Sequence, residues 1–181
     1  MNPHRLRAYI FLLATAVIWG LAAPIIKFTL QGIDPLPFLA YRFAIAAIFS
    51  ILFFSLKGLT LPKPRQALPW VFLYGILAIP IALSTLFLGL DKTTVLDLTL
   101  IGAIAPMVVT VGGTIFFHDK ITKKEMLGIS IVLIGVIINS FLPIFSTESG
   151  TRLSGNLLLL IYLMADSGSV LVAKSAVRHK L

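Results

Sequence analysis

Asp166 stands in the middle of an apolar run, Leu163-Met164-Ala165-Asp166-Ser167-Gly168-Ser169, followed by three small polar or flexible residues. A carboxyl group at that depth in hydrocarbon is costly. Two readings stay open for it: a proton carrier, a cation site or the partner of a basic group such as Arg42, or a polar residue on a span that packs against further membrane partners. Arg42 itself lies within a second apolar run, in Phe38-Leu39-Ala40-Tyr41-Arg42-Phe43. An arginine near a helix centre costs about 2.5–3.5 kcal/mol on insertion scales, and less where it snorkels. Two readings stay open for it: a guanidinium reaching the headgroups, or a cation facing a water-filled cavity and pairing with an anion. Tyr41 beside it serves equally as an interfacial belt residue. Lys27, near the end of the first apolar run, reads first as a snorkelling lysine.

The same first run, Ala14 to Leu30, carries three more residues that suit an anchor poorly. Trp19 lies near its centre although tryptophan prefers the interfaces, and a buried indole N–H needs a partner. Gly20 lets a helix or ligand approach the backbone. Pro24 frees the Gly20 carbonyl and predicts a kink. Trp19, Gly20 and Pro24 together suit a gated cavity. Pro106 repeats the device in Gly102-Ala103-Ile104-Ala105-Pro106, freeing the Gly102 carbonyl. Gly102, Ala105, Gly112 and Gly113 allow close helix contact, which in lipid relies on small residues. Gly128 and Gly135 read as packing. Pro80 with Ser84-Thr85 is expected to break the third run, in which Tyr74 offers a hydroxyl. Asp97 opens the fourth run, where the helix dipole accounts for an acid.

These residues need elements to hold them, and composition says which. The chain has 181 residues, 58% hydrophobic and only 12% charged. A soluble domain is nearer half apolar and a quarter charged. The excess lies in blocks of about 20 residues, the length of a membrane-crossing helix. The reading is an all-α polytopic membrane helix bundle, since a lipid-exposed backbone must satisfy its own hydrogen bonds. Six spans are predicted: Arg7–Leu30, Leu36–Leu56, Leu68–Leu90, Thr94–Phe117, Met126–Ile144 and Gly155–Lys174. Turn chemistry marks the breaks at Gly32 with Asp34-Pro35, Gly58 with Pro62 and Pro64, Asp91-Lys92, His118 to Lys123, and Pro143 to Ser154.

Net charge is +8. The basic residues lie in short connections, so they signal topology and not a nucleic-acid partner. Arg5, Arg7, Lys57, Lys63, Arg65, Lys120, Lys123, Lys124, Lys174, Arg178 and Lys180 fall on one side, with only Lys92 and Arg152 on the other. That bias predicts a multi-pass protein of the cell membrane with both termini cytoplasmic. There is no cysteine, which excludes disulfides, thiolate metal sites and cysteine catalysis. No phosphate-binding glycine loop, HExxH motif or nucleophile constellation is legible. The chain reads as a non-enzyme with no cofactor and no metal.

Sliding the last span onto the first by 147 positions pairs Leu12 with Leu159, Leu13 with Leu160 and Lys27 with Lys174. Trp19 then faces Asp166, and Gly20 faces Ser167. Five spans separate equivalent points, so the repeat enters the membrane from the opposite side, as in inverted-repeat transporters. With Trp19-Gly20 and Lys27, Pro35 followed by Arg42, Pro106, the Asp119-Lys120-Ile121-Thr122 turn, Gly128 and Gly135-Val136, the chain resembles the EamA-type half of the drug/metabolite transporter superfamily. These features cover residues 9 to 140 in order.

The resemblance implies ten helices in two inverted halves around a cavity for amino acids, metabolites or drugs. Residues 7–144 would form one five-helix repeat, and 155–177 the first helix of an incomplete second repeat. It implies a secondary transporter of small organic solutes working by alternating access, truncated or split. Trp19, Tyr41, Arg42, Tyr74 and Pro106 would line or shape its cavity, Asp166 would couple to an ion, and Gly20 and Pro24 would gate. Besides the lipid bilayer, the expected partners are the solute and a complementary membrane subunit or oligomer. The alternative is a non-transporting subunit or fragment that docks with another membrane polypeptide.

Overall fold

Apolar runs in lipid have no water to bond their backbone, so they close their own i→i−4 ladders. The computed structural model describes residues 3–58, 68–119, 121–141 and 149–178, and nearly all of them are helical. The order is α1 (Pro3–Thr29), α2 (Pro35–Lys57), α3 (Leu68–Ile76), a π-helical segment (Leu77–Leu83), α4 (Ser84–Lys92), α5 (Val95–Gly102), α6 (Ala105–Phe117), α7 (Lys123–Phe141) and α8 (Ser149–Arg178). Pro62, Lys63, Pro64, Arg65, Lys120, Pro143, Ile144, and Lys180 lie outside the described residues.

Five stretches among the described residues are long and apolar enough to cross a bilayer: Leu6–Thr29, Pro35–Lys57, Leu68–Lys92, Val95–Phe117 and Thr151–Val177. The protein is an all-helical, polytopic membrane bundle. Where a fifth span is expected over Met126–Ile144, α7 runs over Lys123–Phe141 and is not one of these five stretches.

The prolines behave in three different ways. Pro24 sits inside α1 without ending it. Pro80 does not break the third span as expected; the rod widens into the π-helical turn around it and continues. Proline lacks the N–H and crowds the carbonyl four residues back, and a π bulge absorbs that misfit. Thr85 Oγ1 then donates to the Ile81 carbonyl at 2.7 Å, serving backbone near the distortion. Pro106 does interrupt its span. α5 stops at Gly102, the Ile104 N–H bonds back only to the Ile101 carbonyl, and α6 restarts with proline in its first turn.

The last break is shorter than predicted. α8 already runs at Ser149, and the expected turn through Ser154 is helix. That stretch contains no proline, and Arg152 within it gains a buried partner.

α8 lies against α4, the π-helical segment, α6, α3 and α5. Its crossing with α4 depends on two glycines. A Cβ on Gly89 would meet Leu159 Cδ2 at 2.9 Å and the Gly155 carbonyl oxygen at 3.0 Å, and one on Gly155 would meet Thr93 Cβ at 2.9 Å. Further along, a Cβ on Gly112 would collide with Leu171 Cδ1. Gly112 therefore permits close contact as expected, whereas Gly20, Gly102, Gly128 and Gly135 have no such neighbour within 4 Å.

Among the described residues, two apolar clusters form the core. Ile26, Leu30, Leu39, Phe87 and Leu90 join the end of α1 and the start of α2 to α4. Ile101, Ile104, Leu159 and Leu163 join α5 to α8. Leu86 and Leu98 pack against both. Along α1, α2 and α7, large apolar side chains such as Phe11, Ile18, Phe49, Leu52, Ile131 and Ile134 point outward, as spans facing lipid do.

Candidate functional site

Among the described residues, the buried polar ones gather on α8 and the turn beside its start: Thr93, Asp97, Asn156, Ser167 and Ser169. Thr94 and Asp97 form a capping box, Asp97 N–H donating to Thr94 Oγ1 at 3.1 Å while the Asp97 carboxylate accepts from Thr94. The carboxylate, fully buried, also takes Arg152 bidentately, at 2.9 Å from Nε and 3.0 Å from Nη2. Thr93 Oγ1 lies 2.7 Å from both Asp97 Oδ2 and the Asn156 amide. One hydroxyl carries one proton. The carboxylate can only accept it, so Asn156 must donate, and turning its amide nitrogen toward Thr93 also satisfies the otherwise unpartnered Nδ2. Ser169 Oγ returns its proton to the Asp166 carbonyl at 2.7 Å.

At the other end of α8 stands a second ion pair, Lys174 with Asp119. His118 takes a left-handed conformation, φ 59°, and caps α6 through its N–H to the Gly113 and Thr114 carbonyls. The turn brings Asp119 back over Gly113, where a Cβ would lie 2.7 Å from Asp119 Oδ2. The Lys174 ammonium also sits 4.8 Å from the Phe117 ring centroid.

Beside this end opens a cleft of about 680 Å³ between α3, the π-helical segment, α6 and α8. Trp70, Phe116, Phe117, His118, Leu171 and Ser175 are among its walls. A second hollow of about 410 Å³ shares Phe116, Gly168 and Leu171 with it. An apolar, aromatic wall with a few polar groups, at several hundred cubic ångströms, is the build of a small-molecule site. Among the described residues there is no group of three or more His, Asp or Glu able to hold a metal.

The residues singled out from sequence are distributed differently. Trp19 is 74% exposed on α1, and Tyr41 and Tyr74 are exposed on α2 and α3. Gly20 and Pro24 face open space on α1. The Arg42 guanidinium lies 5.9 Å above the Phe87 ring, which packs against Phe38 at 5.4 Å between centroids. Pro106 lines a small hollow with Thr110, Glu125 and Gly128. Asp166 is half-buried on α8, one turn beyond Tyr162, and makes no ion pair with Arg42 among the described residues.

Lys27 does not snorkel: its Nζ donates to the Leu90 and Asp91 carbonyls at 2.7 and 2.8 Å. The orphan carbonyls at the end of α4 and its dipole make that a better site than the headgroups. At the start of α7, Thr122 N–H and Oγ1 donate to Glu125 and hold its carboxyl below the usual carboxylate range. Trp70, His118, Arg152 and Asn156 were not singled out by sequence reasoning. The Thr-x-x-Asp capping pattern at Thr94–Asp97 was a visible signal for one side of the Arg152 pair.

Residues 6–141 match the EamA-like transporter family, and the chain belongs to that family. An uncharacterized transporter of Archaeoglobus fulgidus is 30% identical over 141 residues, covering 75% of this chain and 48% of the relative. The uncharacterized transporter YyaM of Bacillus subtilis is 28% identical over 134 residues, 74% of this chain and 44% of its own. An uncharacterized transporter of Methanothermobacter thermautotrophicus is 26% identical, with 74% and 43% covered. The chain spans less than half the length of these relatives. No solved structure matches it.

Proposed function

We propose that the protein is a secondary transporter moving a small organic solute, an amino acid, metabolite or drug-like molecule, by alternating access. The observation that carries this reading is the aromatic cleft against α8, large enough for such a solute and placed beside a helix that buries its polar groups toward its neighbours. Family membership supports transport in general. Trp70, Phe117, His118 and Ser175 would contact the solute in the cleft. Trp19, Tyr41, Arg42, Tyr74 and Pro106 would line or shape its path beyond the cleft, with Gly20 and Pro24 giving room for gating. Asp166, on the same helix two residues before the cleft-lining Gly168, would carry the coupling proton or cation.

The test is transport by the protein in liposomes, with and without a proton gradient, across a panel of amino acids and small metabolites. The expected result is gradient-stimulated movement of at least one solute. Asp166→Asn should abolish the stimulation while leaving exchange of that solute. No movement of any solute contradicts transport, and stimulation that survives Asp166→Asn contradicts the coupling role.

A further inference from the structure

The two ion pairs of α8 share a spacing that the mechanism above does not use. Asp97 pairs with Arg152 and Asp119 with Lys174, and in each the partners are 55 residues apart. The second pair therefore lies 22 residues beyond the first on both strands of the contact, 119 against 97 and 174 against 152. Along a helix 22 residues rise about 33 Å, close to the hydrocarbon thickness of a bilayer. α8 and the fourth span, α5 with α6, are thus pinned in parallel register by one pair at each membrane face.

The pins differ in strength. At the Asp97 end the carboxylate is fully buried, the arginine binds it with two parallel bonds, and Thr93, Thr94 and Asn156 surround it. The Gly89–Gly155 crossing holds the backbones together at the same end. The Arg152 side chain is 28% exposed, but parting the pair leaves the buried carboxylate as a bare charge, which is costly. At the Lys174 end the side chains of the pair are 46% and 48% exposed. Such a pair is cheap to part, since water takes over both charges. Among the described residues, only this end borders the large cleft, through Leu171, Val172 and Ser175.

We propose that α8 is a lever, hinged at Arg152–Asp97 and released at Lys174–Asp119, whose swing opens and closes the cleft. On opening, Lys174 leaves Asp119 and the Phe117 ring, and Leu171 leaves the notch at Gly112. The hinge keeps its network throughout. The lever would serve the proposed alternating access and rests on that reading for its purpose. The experiment reads distance and not transport, so the two can fail separately.

Because the chain has no cysteine, spin labels can be placed at will. One pair, Ile115→Cys with Val177→Cys, reports the Lys174 end; another, Leu96→Cys with Leu157→Cys, reports the hinge. All four positions are exposed. In reconstituted protein, Lys174→Gln should lengthen and broaden the 115–177 distance distribution and leave the 96–157 distribution unchanged. Asp119→Asn should do the same, and the exchange Asp119→Lys with Lys174→Asp should restore the shorter distance. Molar salt acting on the pair should reproduce the shift without any change at residues 119 or 174. A 115–177 distribution unmoved by both variants and by salt would overturn the lever, and so would equal lengthening at both ends.

Discussion

At the scale of single residues, Asp97 explains most of the polar order. Its carboxylate caps α5, holds Arg152 and accepts a hydrogen bond from the Thr93 hydroxyl, so one acid ties the α4–α5 turn to the start of α8. Removing the arginine leaves that charge buried without its partner. Arg152→Gln should therefore cost about 3–5 kcal/mol of stability, the range for breaking a buried pair from one side. Lys174→Gln removes an exposed partner and should cost under about 1 kcal/mol. Thermal unfolding of the two variants in detergent measures the contrast. Equal losses would mean that burial does not separate the two pairs. That Asp97 opens a helix, where the helix dipole accounts for an acid, was readable. Arg152 was not, because the bond spans 55 positions and hydropathy does not report which way a side chain turns.

At the scale of elements, small residues and prolines decide how the rods fit. Gly155 and Gly20 are both glycines inside spans, yet only Gly155 meets a neighbouring backbone. Gly155→Ala should force α4 and α8 apart at a cost of about 1–3 kcal/mol, as overpacking does. Gly20→Ala, with nothing within 4 Å, should be neutral or stabilise by up to about 1 kcal/mol through helix propensity. Unfolding midpoints of the two variants check this, and a destabilised Gly20→Ala would mean that the open space beside it is filled. The spans themselves were legible, since length and hydropathy force helix in lipid. What Pro80 and Pro106 do was legible only as a disturbance. Whether a helix bulges or stops depends on which neighbour accepts the freed backbone groups, and that is settled by packing.

At the scale of the whole molecule, the protein is a multi-pass helical bundle of the EamA-like transporter family, with α8 lodged against the third and fourth spans. Sequence reasoning found the family and the polar character of the last span, including Asp166. It proposed Trp19 as a cavity residue; Trp70 lies on the wall of the cleft and Trp19 is exposed on α1. Both tryptophans lie in apolar runs, and only the rotation of each helix about its axis tells them apart. In the proposed orientation, with both termini cytoplasmic as the charge bias predicts, the Lys174 end and its cleft would lie at that face.

A water-accessible cleft against α8 at the cytoplasmic face is the claim on which the rest depends, and cysteine labelling tests it most directly. A membrane-impermeant maleimide applied to the cytoplasmic face should modify Ser175→Cys, on the cleft wall, and a solute that is transported should slow the reaction. The same reagent should leave Ile131→Cys, outward on α7, unmodified in lipid. A Ser175→Cys thiol that is sealed from both faces, with Ile131→Cys labelled instead, would contradict the account.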